Sequence, residues 1–189
     1  MTTLPPSSSN GGQQASSGFQ RLHPGVQKWI WQQKWPALRP IQADAIPPIL
    51  VGQQDVIISA ATAGGKTEAA FLPIFSRLKD ATRAGIGTLC ISPLKALIND
   101  QFRRLSAIGE QLDIAVTPWH GDIDAGRKKR LLKQPSGILI ITPESLEALF
   151  VNHGPDMTAF FQGLNYLVID ELHAFIGSER GKQLQSLMH

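Results

Sequence analysis

Asp55-Val-Ile-Ile-Ser59 runs directly into Ala60-Ala-Thr-Ala-Gly-Gly-Lys-Thr67, and that loop opens a segment, 66–81, where Ala69, Ala70, Phe71, Ile74, Phe75 and Leu78 recur at helical spacing. A short β-branched run closed by small residues reads as a buried parallel strand. Strand, glycine-rich turn and helix in that order aim backbone N–H groups at a phosphate, and the helix dipole favours its charge. Lys66 is placed to reach the β- and γ-phosphates of a nucleotide, and the Thr67 hydroxyl to ligate Mg²⁺. The strict pattern begins with glycine, and here Ala60 stands there. An ordinary glycine-rich turn with an exposed lysine is the alternative, and the strand before and helix after argue against it. Pro73 falls inside the helix and is expected to kink it.

The alternation continues. Strands are expected over 88–92, 114–117, 137–142 and 166–170, and helices over 95–109, 124–133, 144–152 and 180–189. Leu97, Ile98, Phe102 and Leu105 face inward on the first of these helices. No internal repeat is present. This rhythm defines an α/β fold, a mostly parallel sheet with helices on both faces. In such sheets ligands bind beyond the carboxyl ends of the strands, so the residues just after each strand carry the information.

Those residues are distinctive. Asp170-Glu-Leu-His173 follows the apolar run Leu167-Val-Ile169. An aspartate at a strand's end downstream of a phosphate loop is an expected Mg²⁺ holder, and Glu171 beside it can orient or deprotonate a water. Ser92-Pro93 and Thr142-Pro143 each read as an N-cap followed by proline at the first helical position. Both helix starts would offer free N–H groups to the phosphates of a nucleic-acid strand, with Lys95 adding charge. Simple capping is the plainer alternative. Arg127-Lys-Lys-Arg130 with Lys133 reads first as a solvated helix face. Trp29 and Trp31, with Ile30, read as packing an N-terminal helix onto the sheet, and Cys90 as an inert core residue.

Composition narrows the class. The chain has 189 residues, a formal net charge of +3 and one cysteine, so no internal disulfide is possible. Residues 1–18 are expected to form a disordered low-complexity tail, because they hold too little apolar surface to offset ordering entropy. Residues 19–189 are expected to form the folded domain. No apolar run approaches the roughly 18 residues of a membrane span, and no signal peptide is evident. A cytoplasmic location, with nucleoid association open, follows as the expectation.

Together these motifs resemble the first motor domain of superfamily 2 helicases, the DEAD/DExH-box group, over nearly all of the chain from His23 onward. The resemblance implies a RecA-like P-loop NTPase domain. Ala60–Thr67 is similar to helicase motif I, Asp170–His173 to motif II in its DExH form, Ser92–Leu97 to motif Ia and Thr142–Ser145 to motif Ib. Leu38-Arg-Pro-Ile-Gln42 is similar to the upstream glutamine motif, though Arg39 and Pro40 depart from its strict form. Ser92–Asp100 and Gly177-Ser-Glu-Arg-Gly181 most resemble the large helicase-related (Lhr-like) branch.

The resemblance implies ATP and Mg²⁺ as cofactors. It assigns nucleotide binding to Gln42, Thr62, Ala63, Gly64, Gly65, Lys66 and Thr67, with Thr67 and Asp170 on the metal. Lys66, Asp170, Glu171 and His173 become the catalytic set, His173 relaying nucleotide state. Pro93, Leu94, Lys95, His120, Gly121, Thr142, Pro143 and Glu144 become the nucleic-acid contacts. Partners are then single-stranded or partly duplex DNA, with RNA open, and a second RecA-like domain. The sequence stops at His189, before the Ser-Ala-Thr motif and that second domain, so slow hydrolysis and no unwinding are expected of it alone. A non-catalytic binding or regulatory module retaining the fold is the competing reading. Intact Lys66, Thr67, Asp170 and Glu171 argue against it. A P-loop kinase is opposed by the glutamine motif.

Overall fold

A computed structural model describes residues 18–61, 64–81 and 84–188. The tail expected over 1–18 lies outside them except for Gly18, as do Thr62, Ala63 and His189. The chain divides into two compact units between Asp80 and Ala81.

The first unit is helical. Helix α1 spans Pro24–Gln32, α2 Pro40–Val51 and α3 Lys66–Asp80. His23 caps α1 by accepting from the Gly25 N–H at 3.0 Å, and proline opens the helix. Val26 and Ile30 bury the inner face of α1, Ile46 and Ile49 that of α2, and Phe71, Ile74 and Phe75 that of α3. Ser76 on α3 accepts from the His23 N–H at 3.0 Å, tying α3 to the entry of α1. Helix α3 runs through Pro73 without interruption.

The second unit is the sheet. Strands β1 (Thr88–Ile91), β2 (Val116–Trp119), β3 (Ile138–Ile141) and β4 (Tyr166–Ile169) are all parallel in the order β2-β3-β1-β4. Cys90 aligns with Ile140 on one side and Val168 on the other. Helices α4 (Lys95–Leu112), α5 (Ala125–Lys133), α6 (Pro143–His153), α7 (Met157–Phe160) and α8 (Glu179–Leu187) connect and follow the strands. Leu89, Ile91, Leu139 and Ile141 alternate onto one face and pack with Leu131, Leu146, Leu149, Phe160 and Leu184 from the helices. Thr88, Cys90, Ile138 and Ile140 are buried in the opposite phase, and α4 packs on β2 and β3. Both phases of the central strands are therefore apolar and covered, the pattern of an internal parallel sheet. Among the described residues no helix is long and apolar enough to cross a membrane.

Three expectations change. Residues 55–59 form no strand, and Ile57 is 83% exposed. A β-branched run becomes a strand only where a neighbour supplies its ladder and its packing. The second strand lies at 116–119 rather than 114–117, because α4 continues past Gly109 to Leu112 and closes on Asp113 in the left-handed conformation. Trp31 is not a packing residue: it is 78% exposed, while Trp29 meets Trp35 edge to face at 5.6 Å between ring centres.

Candidate functional site

All four strands of the second unit deliver a candidate residue at the same edge. Ser92–Lys95 follows β1, His120–Asp122 follows β2, Thr142–Glu144 follows β3, and Asp170–His173 follows β4. Parallel strands leave their carboxyl ends on one side, which is why residues up to 78 apart in sequence meet there.

Asp170 is the best-held of these. Its Oδ2 accepts from the Gln101 side-chain amide at 3.1 Å and from the Ser92 hydroxyl at 3.4 Å. Its backbone N–H donates to the Ile91 carbonyl at 2.8 Å, so the carboxylate is placed by the sheet itself. Ser92 does not cap the following helix, against its sequence signature. Leu94, in extended conformation, is the residue before α4, and the Ser92 hydroxyl is spent on Asp170. Gln101 belongs to no motif, yet the sequence marks it: it interrupts the apolar stripe Ile98, Leu105, Ile108, Leu112 on the buried face of α4. A polar residue in such a stripe needs a buried partner.

Glu171 has φ +50°, a left-handed backbone that non-glycine residues adopt at a cost of about 1–3 kcal/mol. Its Oε2 lies 3.3 Å from His173 Nδ1. The chain thus turns sharply off β4, presenting a carboxylate and an imidazole next to Asp170.

Thr142 behaves as its sequence signature requires. It caps α6 by accepting from the Ser145 N–H at 3.3 Å, with Pro143 in the first helical position. Glu144 is engaged: its Oε1 accepts from Arg180 Nε at 2.5 Å. Burial pushes the Glu144 carboxyl up, but the Arg180 bond and bonds within its own turn outweigh it, so its pKa falls below the usual carboxylate value. Lys95 Nζ donates to both Asp122 oxygens at 3.1 Å, and Gly121 lies exposed between Asp122 and His120. His120 is 4% exposed with Nε2 3.1 Å from Asn99 Oδ1, which assigns the ring proton to Nε2. Burial lowers its pKa, Asp122 pulls it up, and the Lys95 and Lys128 charges lower it further.

In the first unit, the loop before α3 has its own constraints. Gly65 adopts φ +88°, and a Cβ there would sit 2.8 Å from Gln42 Nε2. The Gln42 amide, buried on α2, is thereby set against the turn, and its Oε1 accepts from the Arg39 N–H at 2.9 Å. Lys66 Nζ donates to the Ala60 carbonyl at 2.9 Å, and Thr67 follows on the first turn of α3. Thr62 and Ala63 lie outside the described residues. Among the described residues no cluster of three His, Cys, Asp or Glu could hold a metal. The Thr67 hydroxyl in the first unit and the Asp170 carboxylate in the second are each hard-oxygen donors, the ligand type that Mg²⁺ takes. Arg127, Lys129 and Arg130 are exposed, as expected of a solvated helix face.

A parallel α/β sheet whose strand ends carry a carboxylate pair, two polar loop starts and a capped helix is a RecA-like arrangement. Residues 39–189 match the model of the DEAD/DEAH box helicase family. The chain belongs to that family. It is 36% identical over 179 residues to the ATP-dependent helicase Lhr-Core of Methanothermobacter thermautotrophicus, a match covering 86% of this chain and 20% of that protein. The structure of Mycobacterium smegmatis helicase Lhr bound to ssDNA and AMP-PNP superposes with a TM-score of 0.76 at 28% identity, covering 90% of this chain and 23% of that one. Mss116p bound to ssRNA and AMP-PNP superposes with a TM-score of 0.81 over 95% of this chain and 36% of that one; at 24% identity the likeness is one of fold. The chain spans about a fifth of the length of the curated relatives it matches.

Proposed function

We propose that this chain is the ATP-binding first motor domain of an ATP-dependent nucleic-acid helicase or translocase of the Lhr-like branch, acting on DNA. The observation that carries this reading is the sheet edge, where four parallel strands deliver Ser92–Lys95, His120–Asp122, Thr142–Glu144 and Asp170–His173 side by side. Membership of the helicase family supports it, as does the ssDNA bound by the similar Mycobacterium smegmatis Lhr.

In this reading Gln42 recognises the base, and Thr62 to Lys66 hold the phosphates with backbone N–H groups and one ammonium. Thr67 and Asp170 hold Mg²⁺, which when bound neutralises charge on the β- and γ-phosphates. Glu171 orients the attacking water, and His173, beside Glu171, communicates the state of the nucleotide. Pro93, Leu94, Lys95, His120, Gly121, Thr142, Pro143 and Glu144 line the path of one strand, contacting its backbone rather than its bases. A second RecA-like domain supplies the cationic finger that completes hydrolysis, typically worth about 10³–10⁵ in turnover.

Steady-state Mg·ATP turnover by this chain, with and without single-stranded DNA, tests the reading. Nucleotide binding with near-background turnover supports an incomplete motor domain. Robust DNA-stimulated turnover overturns the incompleteness. Loss of nucleotide binding in Lys66→Ala at unchanged melting temperature supports the enzyme reading over a module that only binds nucleic acid.

A further inference from the structure

Arg180 lies in the Gly177-Ser-Glu-Arg-Gly181 segment, which the roles above leave unused. Its guanidinium makes three contacts to three different parts of the second unit. Nε donates to Glu144 Oε1 at 2.5 Å, Nη2 donates to the Pro93 carbonyl at 2.7 Å, and the carbon centre lies 5.8 Å above the Phe175 ring. Pro93 lies in the loop after β1, and Glu144 in the first turn of α6, which follows the neighbouring strand β3.

The local chain is built to hold that guanidinium still. Ser178 caps α8 by accepting from the Gly181 N–H at 3.1 Å, and its hydroxyl donates to the Phe175 carbonyl at 2.9 Å. A Cβ on Gly181 would collide with that same carbonyl, so glycine lets α8 start directly against the Phe175 turn. One turn further on, Gln183 donates to Glu147 at 2.5 Å, and Leu184 packs with Leu146 and Leu149. Helices α6 and α8 therefore meet through an apolar seam with two polar rungs, and Arg180 is the rung that also reaches the loop after β1.

We propose that Arg180 is a positioning residue for strand binding, a clamp that fixes the Ser92–Lys95 loop and the N-terminus of α6 at one separation so that both address phosphates of the same strand. The proposal rests on the strand path given above. A planar fork can bond a carboxylate and a carbonyl at once, which a lysine ammonium on a flexible stem does poorly. The same bond neutralises Glu144, whose bare carboxylate at a helix start would repel an incoming phosphate.

The test measures fluorescence anisotropy of fluorescein-labelled oligo-dT with this chain, Mg²⁺ and a non-hydrolysable ATP analogue, over a range of salt. The variants are Arg180→Lys, Arg180→Met, Glu144→Ala and Arg180→Lys combined with Glu144→Ala. Arg180→Lys, which keeps the charge, should still weaken strand binding about tenfold, the scale of one shared hydrogen-bond network. Its salt slope should fall by about one for each phosphate contact put out of register. Affinity for a fluorescent ATP analogue without DNA should stay within about twofold of the parent, which separates a clamp from general loss of fold. The double variant should lose less than the two single losses combined. Full additivity would mean that Arg180 touches the strand directly, and would overturn the positioning role. If Arg180→Met fails to fold, Arg180→Lys and the cycle decide. A parent chain that binds no oligo-dT overturns the strand path and the clamp with it. Parent-like binding by a folded Arg180→Lys overturns the clamp alone.

Discussion

The side-chain amide of Gln101 donates to Asp170 Oδ2 at 3.1 Å across 69 residues of sequence. Gln101 is buried on α4 and Asp170 sits at the end of β4, so the bond ties a helix to the carboxylate proposed for the metal. Gln101→Leu would extend the apolar stripe of α4 and should leave the melting temperature within a few degrees, since volume-conserving swaps in a core cost less than about 1.5 kcal/mol. Asp170 would lose its amide donor. Partners that orient metal ligands are typically worth about 10–100-fold in metal affinity, so Mg²⁺-dependent nucleotide binding should weaken on that scale. Titration of a fluorescent ATP analogue with Mg²⁺ and with EDTA checks this. An equal loss under both conditions would show that Gln101 does not act through the metal.

Ala60 and Gly64 constrain each other. A Cβ on Gly64 would lie 2.8 Å from the Ala60 methyl and 2.8 Å from the Ala61 carbonyl. The Ala60 methyl, standing where the strict motif has glycine, and the Ala61 carbonyl together make glycine at 64 necessary. Gly64→Ala should displace the loop and lower nucleotide affinity by at least about tenfold, because backbone N–H groups hold phosphates only in one geometry. Ala60→Gly added to Gly64→Ala should restore part of the affinity, since it removes the methyl and leaves the carbonyl contact. Isothermal titration of ATP against the parent and both variants gives the order. Complete recovery would show that the Ala61 carbonyl yields.

The strand–helix alternation is legible in the sequence because each central strand is a continuous apolar run; Thr88–Ile91 and Ile138–Ile141 are buried throughout. Thr142-Pro143 is equally legible, since its hydroxyl accepts from the Ser145 N–H as an N-cap before a first-turn proline should. The misleading signals are local ones whose outcome depends on distant partners. Ser92-Pro93 carries the same capping signature, but its hydroxyl goes to Asp170, 78 residues on. Gly109 has the look of a helix end, yet it is retained inside α4 because its missing Cβ leaves room for the Ile114 carbonyl. Asp55–Ser59 has strand composition without a ladder. Gln101 carries no motif of its own, and the parts that it, Asp122 and Arg180 play become visible only through the groups they bond.

Cys90 is buried at the centre of β1. Burial pushes its thiol pKa far up, and the nearby Asp170 charge adds to the effect. Thiolate is the reactive form, so the folded chain should not react with a disulfide reagent at pH 8. One equivalent should react after unfolding in guanidinium. Mg·ATP added to the folded chain should leave the thiol silent, and labelling of the native chain faster than global unfolding would show that β1 opens locally.

His120 fixes a pH dependence whose sign can be worked out. Free in an unfolded chain, an imidazole titrates near about 6.5. In the folded chain burial lowers that value, and the Lys95 and Lys128 charges lower it further against the pull of Asp122. Above about pH 6.5 both states are neutral at this residue and its contribution is constant. As the pH falls through that value the unfolded chain takes up a proton that the folded chain resists, so stability drops until the folded value is reached. One proton is worth at most about 1.4 kcal/mol per pH unit. His120→Gln removes the titration while keeping a donor for the Asn99 side-chain carbonyl 3.1 Å away. Urea melts at pH 7.5, 6.5 and 5.5 should therefore show a smaller loss of stability on acidification for His120→Gln than for the parent, by up to about 1 kcal/mol between the ends of that range. Parallel curves would mean that the folded imidazole protonates as readily as a free one, with Asp122, whose Oδ2 is 3.9 Å from Nδ1, closing on the ring to hold the charge.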